Sequence, residues 1–448
     1  MPLTLRVREV DVFLRRVKTR MPFRYGKAEV TGQPYAHLRV RFEPDATGVS
    51  AAALPPLWFD KRPGLTHEET IRELLRSIAI AAEVYKDAGA ASPAELHRRC
   101  EPEARRRAAA EKMNDLTAGF GVALLDAAVV DAACRLGRRT FHQGLLEDLF
   151  GLGDDFARIV PERPLPSIAV RHTVGLSDPL YGSDVVAPVK DGLPETLVDV
   201  IRTYRPHWYK IKLGGDVDAS LDRLRRIAMV LDRDAGEYEV TLDGNEQFHD
   251  MDTVASLARK IADRPWLHNL WQRTAWIEQP VGRDESLRPE VTAPLQRMDK
   301  PVIIDEADGS DEAVDRALQL GYHGISAKNC KGVFRTLHSY RRSVETGAIL
   351  SSEDLMNIPV VPLHQDLCVA AALNLPHSER NGHHYIRAFD HFSPREREAA
   401  IREFPELYRP DRPTVHVERG SIDVSGINDE GFGVCSEPDW DFLERVTP

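Results

Sequence analysis

From about residue 165 the chain alternates short apolar runs with helical stretches, about eight times over. "IAVRHTVGL" is followed by a helical segment near 191–205, "WYKIKLGG" by "DASLDRLRRIAMVLD", and "YEVTLDGNE" by "MDTVASLARKIAD". "AWIEQPV", "PVIIDEADG" and "GISAKN" continue the pattern, and "AILSSED" and "HHYIRAFDHF" complete it. Repeated strand–helix units build a parallel sheet covered by helices. Eight strands favour a closed (β/α)8 barrel over an open doubly wound sheet. No glycine-rich phosphate loop follows the first strand, which weighs against a dinucleotide fold.

The 448 residues exceed one barrel and suit two domains. Residues 3–13 and 33–43 read as strands. In "GQPYAHLRVRF", Tyr35, His37, Arg39 and Arg41 alternate with Ala36, Leu38 and Val40. "EPDATG" predicts a turn into a strand over Val49–Leu54. Helical patterns cover Thr70–Ala88 and Glu103–Arg135, and the small residues of "AGFGVALLDAAVVDAACRLG" predict close packing. The expected division is an α+β domain over 1–150, the barrel over 165–410, and a strand-and-turn segment over 411–448.

Composition narrows the function. Lysine plus arginine is 59 and aspartate plus glutamate is 70, a net charge of −11. That argues against a nucleic-acid partner. No apolar run reaches membrane-spanning length, so no membrane partner is expected. Cys100, Cys134, Cys330, Cys368 and Cys435 are scattered, with no CxxC pair. Such usage suits a reducing compartment, and the cytoplasm is the expected location.

The strand ends carry the chemistry, because a barrel of this kind works at the C-terminal ends of its strands. The second strand offers Lys210 and Lys212, the third Asp243 and Asn245, and the fourth Glu278. The fifth offers Asp305 and Glu306, and the sixth Lys328. From Lys212 the intervals are 31, 35, 27 and 23 residues, about one repeat each. Each residue alone has an ordinary reading: Asp243 as a turn residue, Asp305 and Glu306 as helix caps, Lys328 as a loop lysine. Together they converge near one axis, where like carboxylates need a cation. Oxygen ligands without cysteine suggest Mg²⁺, with Mn²⁺ second. The lysines would face a small carboxylate substrate, with Lys212 as base, Lys328 opposite it, and Lys210 depressing the Lys212 pKa. Glu353 and Asp354 end the seventh strand and face the same way, whereas His383 and His384 read as a strand start.

This set resembles the enolase superfamily, in its muconate-lactonizing-enzyme-like branch (the mandelate racemase/muconate lactonizing enzyme family). The resemblance rests on "KIK" at 210–212, "LDGNE" with Asp243, "WIEQP" with Glu278, "IIDEAD" with Asp305 and "GISAKNCKG" with Lys328. It implies a modified (β/α)8 barrel with an N-terminal α+β cap, completed by the C-terminal tail. It implies that Asp243, Glu278 and Asp305, rather than Glu306, hold the metal. Lys331 would be structural. Cap loops near 22–32 and 54–61 would close over the substrate, bringing Trp58 and Phe59 with them, and the chain would form a homo-oligomer. The expected reaction is proton abstraction alpha to a carboxylate, in a racemase, epimerase or cycloisomerase. A sugar-acid dehydratase and a noncatalytic metal-binding member are the alternatives. The chain departs from the family pattern at "GVSAAALPPLWF" and "SSEDLMNIPVVPLHQDL", both in expected substrate-contacting regions.

Overall fold

Two sheets organise the chain in the computed structural model, which describes residues 2–26, 28–427 and 429–447. The first is antiparallel: β1 (Arg6–Tyr25), β2 (Ala28–Glu43) and β3 (Ala46–Ala53), with the C-terminal β13 (Glu444–Val446) on the free edge of β1. The expected loop at 22–32 is largely strand. Pairing continues through Phe23↔Val30 to Tyr25↔Ala28, so β1 and β2 form one long hairpin. Lys27, within that stretch, lies outside the described residues.

Eight parallel strands form the second sheet: β4 (Ser167–Val174), β5 (Trp208–Lys212), β6 (Glu239–Asp243), β7 (Thr274–Glu278), β8 (Val302–Ile304), β9 (Gly324–Ala327), β10 (Ile349–Glu353) and β11 (His377–Arg380). Pairing of β11 with β4 closes the barrel, and β12 (Ser421–Asp423) runs antiparallel beside β4. The C-terminal segment therefore adds a strand to each sheet. The spacing of the helix after β5 predicts an apolar stripe of Leu221, Leu224, Ile227, Ala228 and Leu231; all but Leu221 are buried, and Leu221 packs partly buried against the same core.

The eighth strand is not "HHYIRAFDHF". It is the polar "HSER", and His383 and His384 lie in a short helix over Gly382–Tyr385. Apolar periodicity misses "HSER" because Glu379 and Arg380 are buried against charged partners. The continuous helix expected over 103–135 is two helices. The second of the cap helices α1 (His67–Asp87), α2 (Pro93–Ala110) and α3 (Asp115–Gly137) ends at Ala110, and Asn114 caps the third by accepting from the Thr117 amide.

Small residues let α3 lie against both neighbours. A Cβ on Gly121 would meet the Ser77 carbonyl oxygen of α1 at 2.1 Å, and one on Gly48 would meet the Ala128 carbonyl oxygen at 1.9 Å. In a helix interior Gly→Ala ordinarily stabilises by about 1 kcal/mol. Here the clash is with backbone, so Gly121→Ala should destabilise by about 1–3 kcal/mol in urea unfolding.

His97 ties α2 to α3 and to the barrel. Its Nδ1 lies 2.8 Å from Asp126, and its Nε2 lies 4.0 Å from Asp311. Burial alone would lower its pKa, but the two carboxylates outweigh it and raise the imidazole to about 10. The folded value lies above the unfolded one of about 6.5. The linked stability is therefore fully present below pH 6.5 and is lost as pH rises toward 10. His97→Gln should remove that slope from the pH dependence of unfolding free energy, a contribution of up to about 5 kcal/mol.

Candidate active site

Parallel register brings the charged strand ends to one level. Lys212 pairs with Asp243 across β5 and β6, and Asp243 with Glu278 across β6 and β7. Lys210 and Lys212, two residues apart, share the inward face. The Lys210 ammonium is fully buried among four carboxylates: Glu353 at 2.7 Å, Glu278 and Glu379 at 2.8 Å, and Asp243 at 3.1 Å. Lys212 donates to Asp243 at 2.6 Å and lies 3.6 Å from Glu379. Four strands around the barrel, Lys328 donates to Glu353 at 2.6 Å and lies 3.0 Å from Asp305. Lys212 and Lys328 thus approach the mouth from opposite walls.

Burial pushes all three lysines down, and the surrounding carboxylates more than offset it. The expected depression of Lys212 by Lys210 is present but outweighed. Asp243 and Glu379 raise Lys212 above the usual lysine value.

Carboxylate oxygens of Glu278, Asp305 and Glu353 all lie within 4.8 Å of one another. Glu278 Oε2 is buried with no hydrogen-bond partner. Burial, then the Glu353 charge, push Glu278 well above the carboxylate range. A buried group of hard oxygens with an unpartnered lone pair fits a divalent cation. Two of the three expected ligands, Glu278 and Asp305, belong to this group. Asp243 is held instead by both lysines and by the Asn245 amide at 2.8 Å.

The remaining expected residues divide. Asn245 lines the cavity. Glu306 does not meet Lys210; it pairs with Lys61 at 3.0 Å and receives the Asn245 amide at 3.4 Å. Glu353 joins Arg171, Lys210 and Lys328. Asp354 pairs with Arg380 at 2.5 Å, and burial raises it to about 6. Trp58 lines the cavity with its ring centroid 5.5 Å from Lys328 Nζ. Phe59 does not line it; that ring packs edge-on against Phe120. His364 spends both ring nitrogens on the Gly433 carbonyl and the Tyr408 hydroxyl. Lys331 reaches Asp305 and the Asp305 and Ser326 carbonyls, which is a structural position.

Arg171, Glu379, Lys61 and Gln33 were not singled out by the sequence. Arg171 stands in "AVRHTV", where a fully buried arginine in an apolar run is a readable signal. Glu379 sits in the unrecognised eighth strand. Lys61 and Gln33 reach the site from the cap, across 245 residues for the Lys61–Glu306 contact, and carry no local mark.

A small cavity, of about 40 Å³, lies over the lysines. The cap supplies its roof through Phe23, Tyr25, Gln33, Pro55 and Trp58, and the barrel supplies Leu355 and Met356. The roof is tied down. Arg283 donates to the carbonyls of Phe59 at 2.6 Å and Trp58 at 2.9 Å and binds Glu246 through two nitrogens. Lys61 meets the same Glu246 at 2.5 Å.

No family model and no curated protein sequence matches the chain. Solved structures do. A muconate lactonizing enzyme from Pseudomonas fluorescens superposes with a TM-score of 0.66 at 15% identity, covering 98% of each chain. A dipeptide epimerase from Enterococcus faecalis V583 gives 0.65 at 14%, covering 96% of this chain and 99% of that one. An N-succinyl Arg/Lys racemase from Bacillus cereus gives 0.65 at 15%, covering 98% and 97%. The fold is therefore the capped (β/α)8 barrel that these solved structures share.

Arg283→Met should release the 57–62 segment. Losing several buried hydrogen bonds predicts amide exchange there that is faster by about 10-fold or more, with α3 unchanged.

Proposed function

We propose that this chain is a Mg²⁺-dependent enzyme that removes a proton alpha to a carboxylate, as a racemase, epimerase or cycloisomerase. One observation carries the reading: Lys212 and Lys328 face one cavity from opposite walls, above the carboxylate cluster of Glu278, Asp305 and Glu353. Glu278 and Asp305 would hold the cation, with Asp243 or Glu353 as the third ligand. When bound, it would supply Lewis-acid stabilisation of the charge that develops on the substrate carboxylate.

The chain's own residues do the rest. Lys212 in its neutral form takes the alpha proton, and Lys210 places a fixed positive charge beside the developing dianion. Lys328 returns a proton to the other face, which inverts the carbon. With only one lysine shuttling, the same frame serves cycloisomerisation. The roof of Trp58, Phe23 and Tyr25 excludes water, which strengthens each charge interaction beneath it. The reading keeps 1–150, 165–410 and 411–448 as working domain boundaries, with a homo-oligomer in the cytoplasm. The dehydratase alternative draws on Glu353, a strand-seven acid in contact with Lys328. Lys210, Lys328 and Arg171 outweigh burial and hold Glu353 ionised, so in that reading the Lys328 ammonium beside it would protonate the departing hydroxyl.

The test is exchange of alpha protons with D₂O across a panel of N-acylamino acids, dipeptides, muconates and sugar acids. Exchange should require Mg²⁺, vanish on chelation and return on readdition. Lys212→Ala or Lys328→Ala should lower it by about 10²–10⁴-fold for the proton each lysine handles. Loss of water would select the dehydratase. Metal binding with no exchange on any substrate would select the noncatalytic member.

A further inference from the structure

Unpartnered acceptors gather at one end of the cavity. Gln33 Oε1 and Asn381 Oδ1 are buried, and neither has a hydrogen-bond partner among the described residues. Their residues are 3% and 4% exposed, and both line the cavity. They come from separate parts of the chain: β2 of the cap and the loop after β11.

The Gln33 orientation is fixed by its neighbours. Tyr35 commits its hydroxyl hydrogen to the Met356 carbonyl at 2.6 Å, so it can only accept from Gln33 Nε2, at 2.9 Å. The same nitrogen donates to the Leu355 carbonyl at 3.2 Å. The amide oxygen is therefore the atom left facing the cavity. Asp354 is already served: its Oδ1 accepts from the Met356 amide at 3.0 Å, and its Oδ2 lies 2.5 Å from Arg380 Nη2. Gln33 Oε1 and Asn381 Oδ1 are the cavity-lining acceptors left without a donor.

We infer that the substrate carries neutral hydrogen-bond donors, hydroxyl or amide N–H, on the part that lies against Gln33 and Asn381. The reacting carboxylate then lies toward Lys212 and Lys328, which is the one point where the inference rests on the proposed function. Water can serve the two acceptors before binding. A hydrocarbon tail would displace it and leave buried acceptors unpaired, a loss that sites built for hydroxyl or N–H groups use to reject analogues lacking them. An all-hydrocarbon diacid of the muconate type is disfavoured on this ground.

Two matched pairs test it by calorimetric titration of the unaltered protein in Mg²⁺ buffer. N-acetylalanine and 2-methyl-4-oxopentanoate differ only by N–H against CH₂. Gluconate and hexanoate share chain length and differ in hydroxyls. The inference expects the donor-bearing member of at least one pair to bind tighter by about 10-fold or more, and that pair identifies the donor. Gln33→Leu should cut the preference to about 3-fold or less. Equal binding within both pairs, tighter binding of the donor-free acids, or no binding by any of the four overturns it. Alpha-proton exchange on the same four acids separates the two claims. Exchange without donor preference overturns this inference and leaves the reaction standing, whereas donor preference without exchange does the reverse.

Discussion

A lysine ammonium with no access to water sets the terms for the barrel mouth. Lys210 is fully buried, and burying an isolated charge is too costly to sustain without partners. Asp243, Glu278, Glu353 and Glu379 supply them, but four carboxylates around one ammonium are themselves unstable. Three of the four are therefore shared, and Glu278 has Lys210 alone. Asp243 and Glu379 also face Lys212, and Glu353 also meets Lys328 and Arg171. Asp305 joins Lys328 to Lys331. The result is a lattice of alternating charge in which most groups have two partners. Removing one member of a buried pair costs about 3–5 kcal/mol because the other is left uncompensated. The strand ends are thus constrained by one another as strongly as by any substrate.

The cap extends that lattice outward. Lys61 carries a positive charge from the roof to Glu306 and Glu246, and Arg283 carries one from the barrel to Glu246 and back to the roof's carbonyls. The polar contacts are long-range, so the roof is positioned by the barrel and not by its own local structure. Trp58 lies over Lys328 for the same reason: its backbone is gripped at the carbonyl, and its ring has the cavity beneath it.

This explains which parts were legible in the sequence. Lys210, Lys212, Asp243, Glu278, Asp305 and Lys328 could be read because the repeat of the strand–helix unit spaces them and each sits at the end of an apolar run. The barrel itself followed from the same repeat. Its last strand did not, because "HSER" is polar: Glu379 and Arg380 are buried by ion pairs, and hydrophobic periodicity is blind to such burial. The break between α2 and α3 was hidden by helix-forming residues on both sides, with only Asn114 to mark it. Lys61, Gln33 and the anchoring by Arg283 exist only after the cap meets the barrel. Glu353 was visible as a strand end, but its place between two lysines depends on barrel closure.

Charge counting joins the lattice to the proposed chemistry. Asp243, Glu278, Asp305, Glu353 and Glu379 face Arg171, Lys210, Lys212, Lys328 and Lys331, five against five. The roof contacts add Glu246 and Glu306 against Lys61 and Arg283, which also cancel. Counted with Glu278 ionised, as a bound cation would hold it, and with every lysine protonated, the mouth is neutral, and Lys212 has no capacity to take a proton. A neutral Lys212 leaves the mouth at −1. A monocarboxylate alone would take it to −2 in a buried, low-dielectric space, which is unfavourable. A divalent cation and a monocarboxylate together restore neutrality while Lys212 stays a base. Moving the alpha proton onto Lys212 then redistributes charge inside the lattice without changing the total. Cation, substrate and basic lysine are thus stabilised as a set, and Asp243 and Glu379 hold Lys212 protonated until that set is complete.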